Sequence, residues 1–192
     1  SLIVGANNLL QNGAERGGAL VYTYVTSGAS SQYTSQLVRG DPGKEFGTCV
    51  AISGDGSRIA VGLPDLGNGA IYIYHYDVTT SSFVYNTYVN SVGNENLGNS
   101  PMSLAFNQNG HRLVIGSGLY DTSGYTNRGR VLVYEYNTQT SSWGQFIEIL
   151  GEVEAGHHFG IETSMTSDGK FIITSATRDD NVNGTDAGVV KV

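Results

Sequence analysis

Residues 49–76 read CVAISGDGSRIAVGLPDLGNGAIYIYHY. Asp55-Gly56, set between the apolar runs CVAI and RIAVGL, is a two-residue hairpin signal, because Gly accepts the positive φ that a tight turn demands. The pattern recurs as LAFNQNGHRLVIGS at 104–117 with GRVLVYEY at 129–136, and as MTSDGKFIITSA at 165–176 with GVVKV at 188–192. Gly56, Gly110 and Gly169 are 54 and 59 residues apart. Gly17, Gly69, Gly129 and Gly188, each before a β-type run, are 52, 60 and 59 apart. Gly40, Gly93 and Gly151, each before an Asp, Asn or Glu, are 53 and 58 apart. Three landmarks therefore share one period of 52 to 60 residues, the mark of a repeat architecture.

Each full unit spells four strands. In 40–92 they are TCVAIS, RIAVGL, AIYIYHY and SFVYNTYV; in 93–150 they are MSLAFN, RLVIGS, RVLVYEY and QFIEIL. Residues 1–39 offer LIVGA, ALVYTY and SQLV, and 151–192 stop on VVKV without a fourth strand, which gives fourteen strands in all. Alternation in AIYIYHY sends Ile71 and Ile73 to one face and Tyr72, Tyr74 and Tyr76 to the other, so both faces need cover. Four-stranded sheets packed face to face around an axis meet that demand. The sequence thus predicts an all-β protein, a β-propeller of four-stranded antiparallel blades with about three and a half blades present in one segment, 1–192. Ile59, Val61, Ile71, Ile73, Leu113, Ile115, Val131, Val133, Ile172 and Ile173 should be mostly buried. Rings commonly use about four to eight blades, so the expectation is a piece of a larger propeller, such as one of seven blades, with its outer faces covered by further blades or other subunits. No segment shows helical periodicity over ten residues.

Composition excludes whole classes. Of 192 residues 27 are Gly and 14% are charged, the profile of short strands and tight turns rather than of a coiled coil. A 39% hydrophobic content with twelve Tyr and six Phe can bury a core, which argues against disorder. No apolar run is long enough for a membrane helix. Ten basic against 17 acidic residues give a net charge of −7, which repels phosphate backbones and anionic lipid, so neither nucleic acid nor membrane insertion is expected. Cys49 is the only cysteine and reads as a buried small apolar residue, leaving no disulfide framework or cysteine metal cluster.

The repeats resemble the FG-GAP-type repeats of integrin-like β-propellers, in their short variant without long calcium loops. Glu45-Phe46-Gly47 and His158-Phe159-Gly160 stand at the FG position, and Val61-Gly62-Leu63-Pro64 and Val4-Gly5-Ala6-Asn7 at the GAP-like one. The stretch from Gly151 to Val192, with Asp179-Asp180 and the NGTDAG run, matches that variant along nearly its whole length. The middle unit departs from it, with Gly98-Asn99-Ser100-Pro101 in place of the FG signature and a longer SGLYDTSGYTNRG loop. The resemblance implies an extracellular or surface-displayed protein acting in adhesion, ligand binding or particle architecture.

Long-loop members of that family hold calcium in an Asp/Asn-rich loop. The alternate-position carboxylates that a hard cation prefers are missing here, and Asp179, Asp180 and Asp186 remain as calcium candidates whose simpler role is turn formation. No other cofactor is expected. Arg39-Gly40-Asp41 is a tripeptide that many integrins recognise, but Gly40-Asp41 aligns with Gly151-Glu152, so the turn between units accounts for two of its residues. Asn183-Gly184-Thr185 is the one N-glycosylation sequon, relevant in a eukaryotic secretory route. His157 and His158, adjacent on an extended segment, point to opposite faces and cannot share an ion. Trp143 reads as blade-edge packing.

Catalytic motifs are absent: there is no Gly-x-Ser-x-Gly elbow, no His-Glu-x-x-His and no phosphate loop. SGDGSRIA and TSDGKFII resemble the Asp-box of sialidases, but Ala60 and Ile173 stand where the box carries a Trp. The sequence therefore reads as a non-enzymatic, structural or adhesive propeller making protein or glycan contacts through blade-end loops within a larger assembly. A small-ligand or carbohydrate-binding module is the competing reading, and a propeller glycosidase the third.

Overall fold

The computed structural model describes residues 1–11, 14–15, 17–27, 30–40, 45–64, 69–90, 104–153, 156–180 and 184–192. Among them there is no helix. Strands β1 (Leu2–Ala6), β4 (Gly18–Ser27) and β5 (Ser30–Arg39) make the first sheet, and β2 (Leu10–Gln11) and β3 (Ala14–Glu15) form a small separate hairpin. The second sheet is β6 (Val50–Ile52), β7 (Arg58–Leu63), β8 (Ala70–Asp77) and β9 (Ser82–Asn90). The third is β10 (Leu104–Phe106), β11 (Arg112–Ser117), β12 (Arg130–Asn137) and β13 (Ser142–Leu150). The fourth is β14 (Phe159–Met165), β15 (Ile172–Ala176) and β16 (Val189–Lys191). All four are antiparallel meanders of three, four, four and three strands, as the repeat predicts. The β2–β3 hairpin was not foreseen, and β13 starts at Ser142, taking Trp143 into the strand.

The sheets stack face to face. Ile71, Ile73 and Val89 of the second sheet meet Leu104, Leu113, Ile115 and Leu132 of the third. Tyr72, Tyr74 and Tyr76, on the opposite face, pack with Ile59 and Val61 against Ala19, Val21 and Val38 of the first. Val114, Val131 and Val133 face the fourth sheet with Phe159 and Ala176. Period-2 alternation thus feeds two cores from one strand, each buried Val or Ile contributing about 1.5–3 kcal/mol.

Eight of the ten positions expected in the core are at most 2% exposed. Ile172 is half-buried against the third core, and Ile173 is 45% exposed, a correction to the expectation. The cause is its place in the repeat: Ile173 corresponds to Ala60 and Val114, which face the following sheet, and nothing among the described residues covers that face of the fourth. Val190 is exposed on the same face, and both line a shallow groove of about 190 Å³. Ile173→Thr should accordingly move the urea midpoint by no more than about 0.5 kcal/mol of stability; a larger loss would mean that this face is covered in solution.

Two kinds of contact join sheets, and among the described residues both are seen together between the third and fourth. At one end, Phe46-Gly47 and Phe159-Gly160 turn as elbows, Gly47 and Gly160 at φ 94° and 86°. A Cβ at Gly5 or Gly116 of the preceding sheet would overlap the carbonyl oxygen of Gly47 or Gly160, so the backbones meet where only Gly fits. Phe46 and Phe159 are buried beneath. At the other end, the turns bond in sequence, Asp55 N–H donating to Gln108 O and Gln108 N–H to Ser167 O, both at 2.7 Å.

Asp55-Gly56, Asn109-Gly110 and Asp168-Gly169 do occupy the turns, with the glycines at φ 73°, 66° and 72°. The connection is longer than the expected two residues, because side chains complete it. Asp55 accepts from Ser53 Oγ at 2.7 Å and from the Ser57 N–H at 2.9 Å, while Ser53 Oγ accepts the Arg58 N–H at 3.0 Å. Thr166 and Asp168 repeat this pattern in the fourth sheet. Burial pushes the Asp55 carboxyl up, but the bonds from Ser57 and Ser53 outweigh it and hold the group below its ordinary range. The Thr166 hydroxyl and Lys170 N–H do the same for Asp168. A folded pKa below the unfolded one means stabilisation that is complete above about pH 4 and lost as pH falls through the folded value. The urea midpoint should therefore decline below about pH 4, and Asp55→Asn, which keeps the turn as Asn109 does, should make that decline shallower. An unchanged acid limb in Asp55→Asn would remove Asp55 from the account.

Candidate functional site

The second and third sheets part at the turn end, and a cleft of about 370 Å³ opens there. Arg58, first residue of β7, stands opposite His75 of β8 in the register. Its stem rests on Gly110 in the next turn. Its guanidinium carbon lies 3.8 Å from the centroid of the Tyr136 ring and 5.6 Å from that of Trp143. Arg58 is only 9% exposed, and among the described residues no carboxylate pairs with it. The Nδ1 of His75 and Nε1 of Trp143 are buried without a hydrogen-bond partner among the described residues. Ser57, Tyr76, Asn86, Tyr136 and Ser141 complete the lining. Ser141 and then Arg58 hold the Tyr136 phenol below its ordinary range, against the upward push of burial.

The equivalent place one sheet on shows what is unusual. Arg112 stands opposite Glu135, its Nε 2.5 Å from Oε1, and its Nη1 donates to Gly169 O at 2.8 Å. His75 thus replaces the carboxylate that neutralises the same arginine in the third sheet. Leaving a buried cation without an anion costs free energy. The junction before this one is clasped instead: the Gln36 side-chain amide donates to Phe83 O at 2.9 Å and its Oε1 accepts the Phe83 N–H at 2.6 Å. Thr87 pairs with Ile73 as Gln36 pairs with Val21, and among the described residues it makes no such clasp. Sequence reasoning missed this cleft; the signal was the His75-for-Glu135 exchange between AIYIYHY and RVLVYEY.

Apart from Trp143, the residues singled out from sequence lie elsewhere. Asp179 Oδ2 is 3.5 Å from His157 Nδ1, both residues buried, and Asp180 Oδ1 accepts the Asp186 N–H at 2.7 Å. Among the described residues no group of three or more His, Cys, Asp or Glu is placed to hold a metal. Burial, with Arg178 nearby, keeps the His158 imidazole below its ordinary range. Arg39 closes β5, exposed, and Gly40 follows it; Asp41 lies outside the described residues, as do Asn183, Gly93 and 98–101. Cys49 is buried in the core between the second and third sheets and makes no disulfide. Trp143 packs on Phe106 and Tyr136 at 6.1 and 5.5 Å between ring centroids.

Comparisons with known proteins bear on the fold. No family model matches the chain. Over 80 residues it is 40% identical to integrin alpha-7 of Mus musculus, covering 38% of this chain and 7% of the integrin, and the Homo sapiens protein matches to the same extent. The chain thus spans a small part of the curated relatives it matches. Among solved structures, a proposed 6-phosphogluconolactonase from Bacteroides uniformis superposes with a TM-score of 0.53 at 9% identity, covering 98% of this chain and 52% of that one. Sqt1 of Saccharomyces cerevisiae does so at 0.50 and 12% identity, covering 92% and 42%. The fold is that of a β-propeller. At such identities the likeness extends to the fold alone.

Proposed function

We propose that this chain is a propeller segment of the FG-GAP type, with blades at 1–39, 40–92, 93–150 and 151–192, displayed outside the cell or on the surface of a cell or particle. It acts without catalysis, through protein contacts within a larger assembly. The observation that carries this reading is the Phe-Gly elbow, which at Gly47 and at Gly160 seats on a glycine of the sheet before it; the integrin alpha-7 match supports it. The exposed Leu2, Val4 and Tyr24 on the first sheet, and Ile173 and Val190 on the fourth, are apolar surface suited to other subunits or further blades. Sedimentation velocity over a range of concentrations tests it. Association is expected, together with cell attachment to coated surfaces and no turnover of chromogenic glycosides. A chain that stays monomeric, unfolds cooperatively with high stability and supports no attachment counts against the reading.

A second reading, a module for a small ligand or carbohydrate, is favoured by one observation, the open cleft that holds Arg58.

A further inference from the structure

We infer that the cleft between the second and third sheets binds the carboxylate of an acidic sugar, with Arg58 as the anchoring cation. This rests on the binding-module reading and gives it a site and a ligand class. Arg58 is nine-tenths buried, lines the cleft and lacks an anionic partner among the described residues, whereas Arg112 in the same role has Glu135. A guanidinium offers a planar fork that matches a carboxylate with two parallel hydrogen bonds. A doubly charged phosphate fits less well, since the cleft supplies one guanidinium in a chain of net charge −7. The rest of the lining selects among carboxylates. Ser57, Asn86 and Ser141 are neutral hydrogen-bonding groups suited to hydroxyls, Tyr76 and Tyr136 supply ring edges, and about 370 Å³ suits one sugar ring rather than a peptide.

Isothermal titration and ligand-observed NMR on the intact chain, with glucuronate, N-acetylneuraminate, glucose and acetate as probes, test this. One of the two acidic sugars should bind saturably and at least about tenfold more tightly than acetate, a gap of about 1.4 kcal/mol, with glucose silent. Arg58→Gln should abolish binding. His75→Glu installs the carboxylate found at Glu135, so it should abolish binding while leaving the urea midpoint equal or higher, a result that misfolding cannot produce. Equal affinity for acetate and both sugars would overturn the sugar assignment and leave an anion site. Absence of binding by every anion to the folded chain would overturn the site itself, and unchanged binding in His75→Glu would remove Arg58 as the anchor.

Discussion

Phe46→Ala should lower stability by about 3–5 kcal/mol, the range for emptying a fully buried aromatic site. The ring is 1% exposed and meets Tyr72 edge-on, 5.7 Å between centroids, in the core shared by the first two sheets. Its backbone abuts Gly17, so the elbow cannot collapse into the void without disturbing the first sheet. Phe171→Ala, 60% exposed just before β15, is the control and should cost little. Chemical denaturation of the two variants measures the difference directly. Equal losses would mean that the elbow ring does not join the sheets.

Gly129→Ala carries the second large effect, about 2–5 kcal/mol, combining left-handed strain with overpacking. Gly129 has φ 79°, a conformation that Ala adopts only under strain, and its added methyl would overlap the Phe159 backbone. The same peptide is tied into the junction, its N–H donating to Tyr120 O and its carbonyl accepting from Gly151, both at 3.0 Å. Gly144→Ala meets nothing within 4 Å and should be neutral or slightly stabilising. If the two variants unfold alike, close approach at the elbow is not what fixes the third and fourth sheets together.

The fold was legible because its determinants are local and repeated. Alternation in AIYIYHY states which residues point to which neighbour, and Asp55-Gly56 with its two counterparts locates the turns. Ile173 was misjudged because alternation tells which face a residue occupies but not whether that face is covered. The β2–β3 hairpin was missed because two-residue strands carry no periodic signal. The cleft was harder. Arg58, His75, Tyr136 and Ser141 come from two different repeats and form no contiguous motif, so their meeting depends on the stagger between sheets. The acidic residues flagged from family likeness illustrate the converse. Asp179 and Asp180 are neighbours in sequence, yet one turns inward to His157 and the other caps a loop through the Asp186 N–H.

Between the third and fourth sheets the elbow at Gly116 and Gly160 and the bond from Gln108 to Ser167 hold both ends of the junction, whereas between the second and third the bond from Asp55 to Gln108 is the one attachment of this kind seen among the described residues. A rigid plate held at two separated points keeps one rotation, the swing about the line through them, much as a page moves on its spine. Such a swing separates the outer strands while both attachments stay intact. Between the first two sheets the Gln36 amide locks the page edges together, and between the next two nothing equivalent does so among the described residues. The mouth that β9 and the turn before β13 frame, at the junction that contains Arg58, thus carries no such lock among the described residues. A swing there widens the way to Arg58 while the bond from Asp55 to Gln108 stays made.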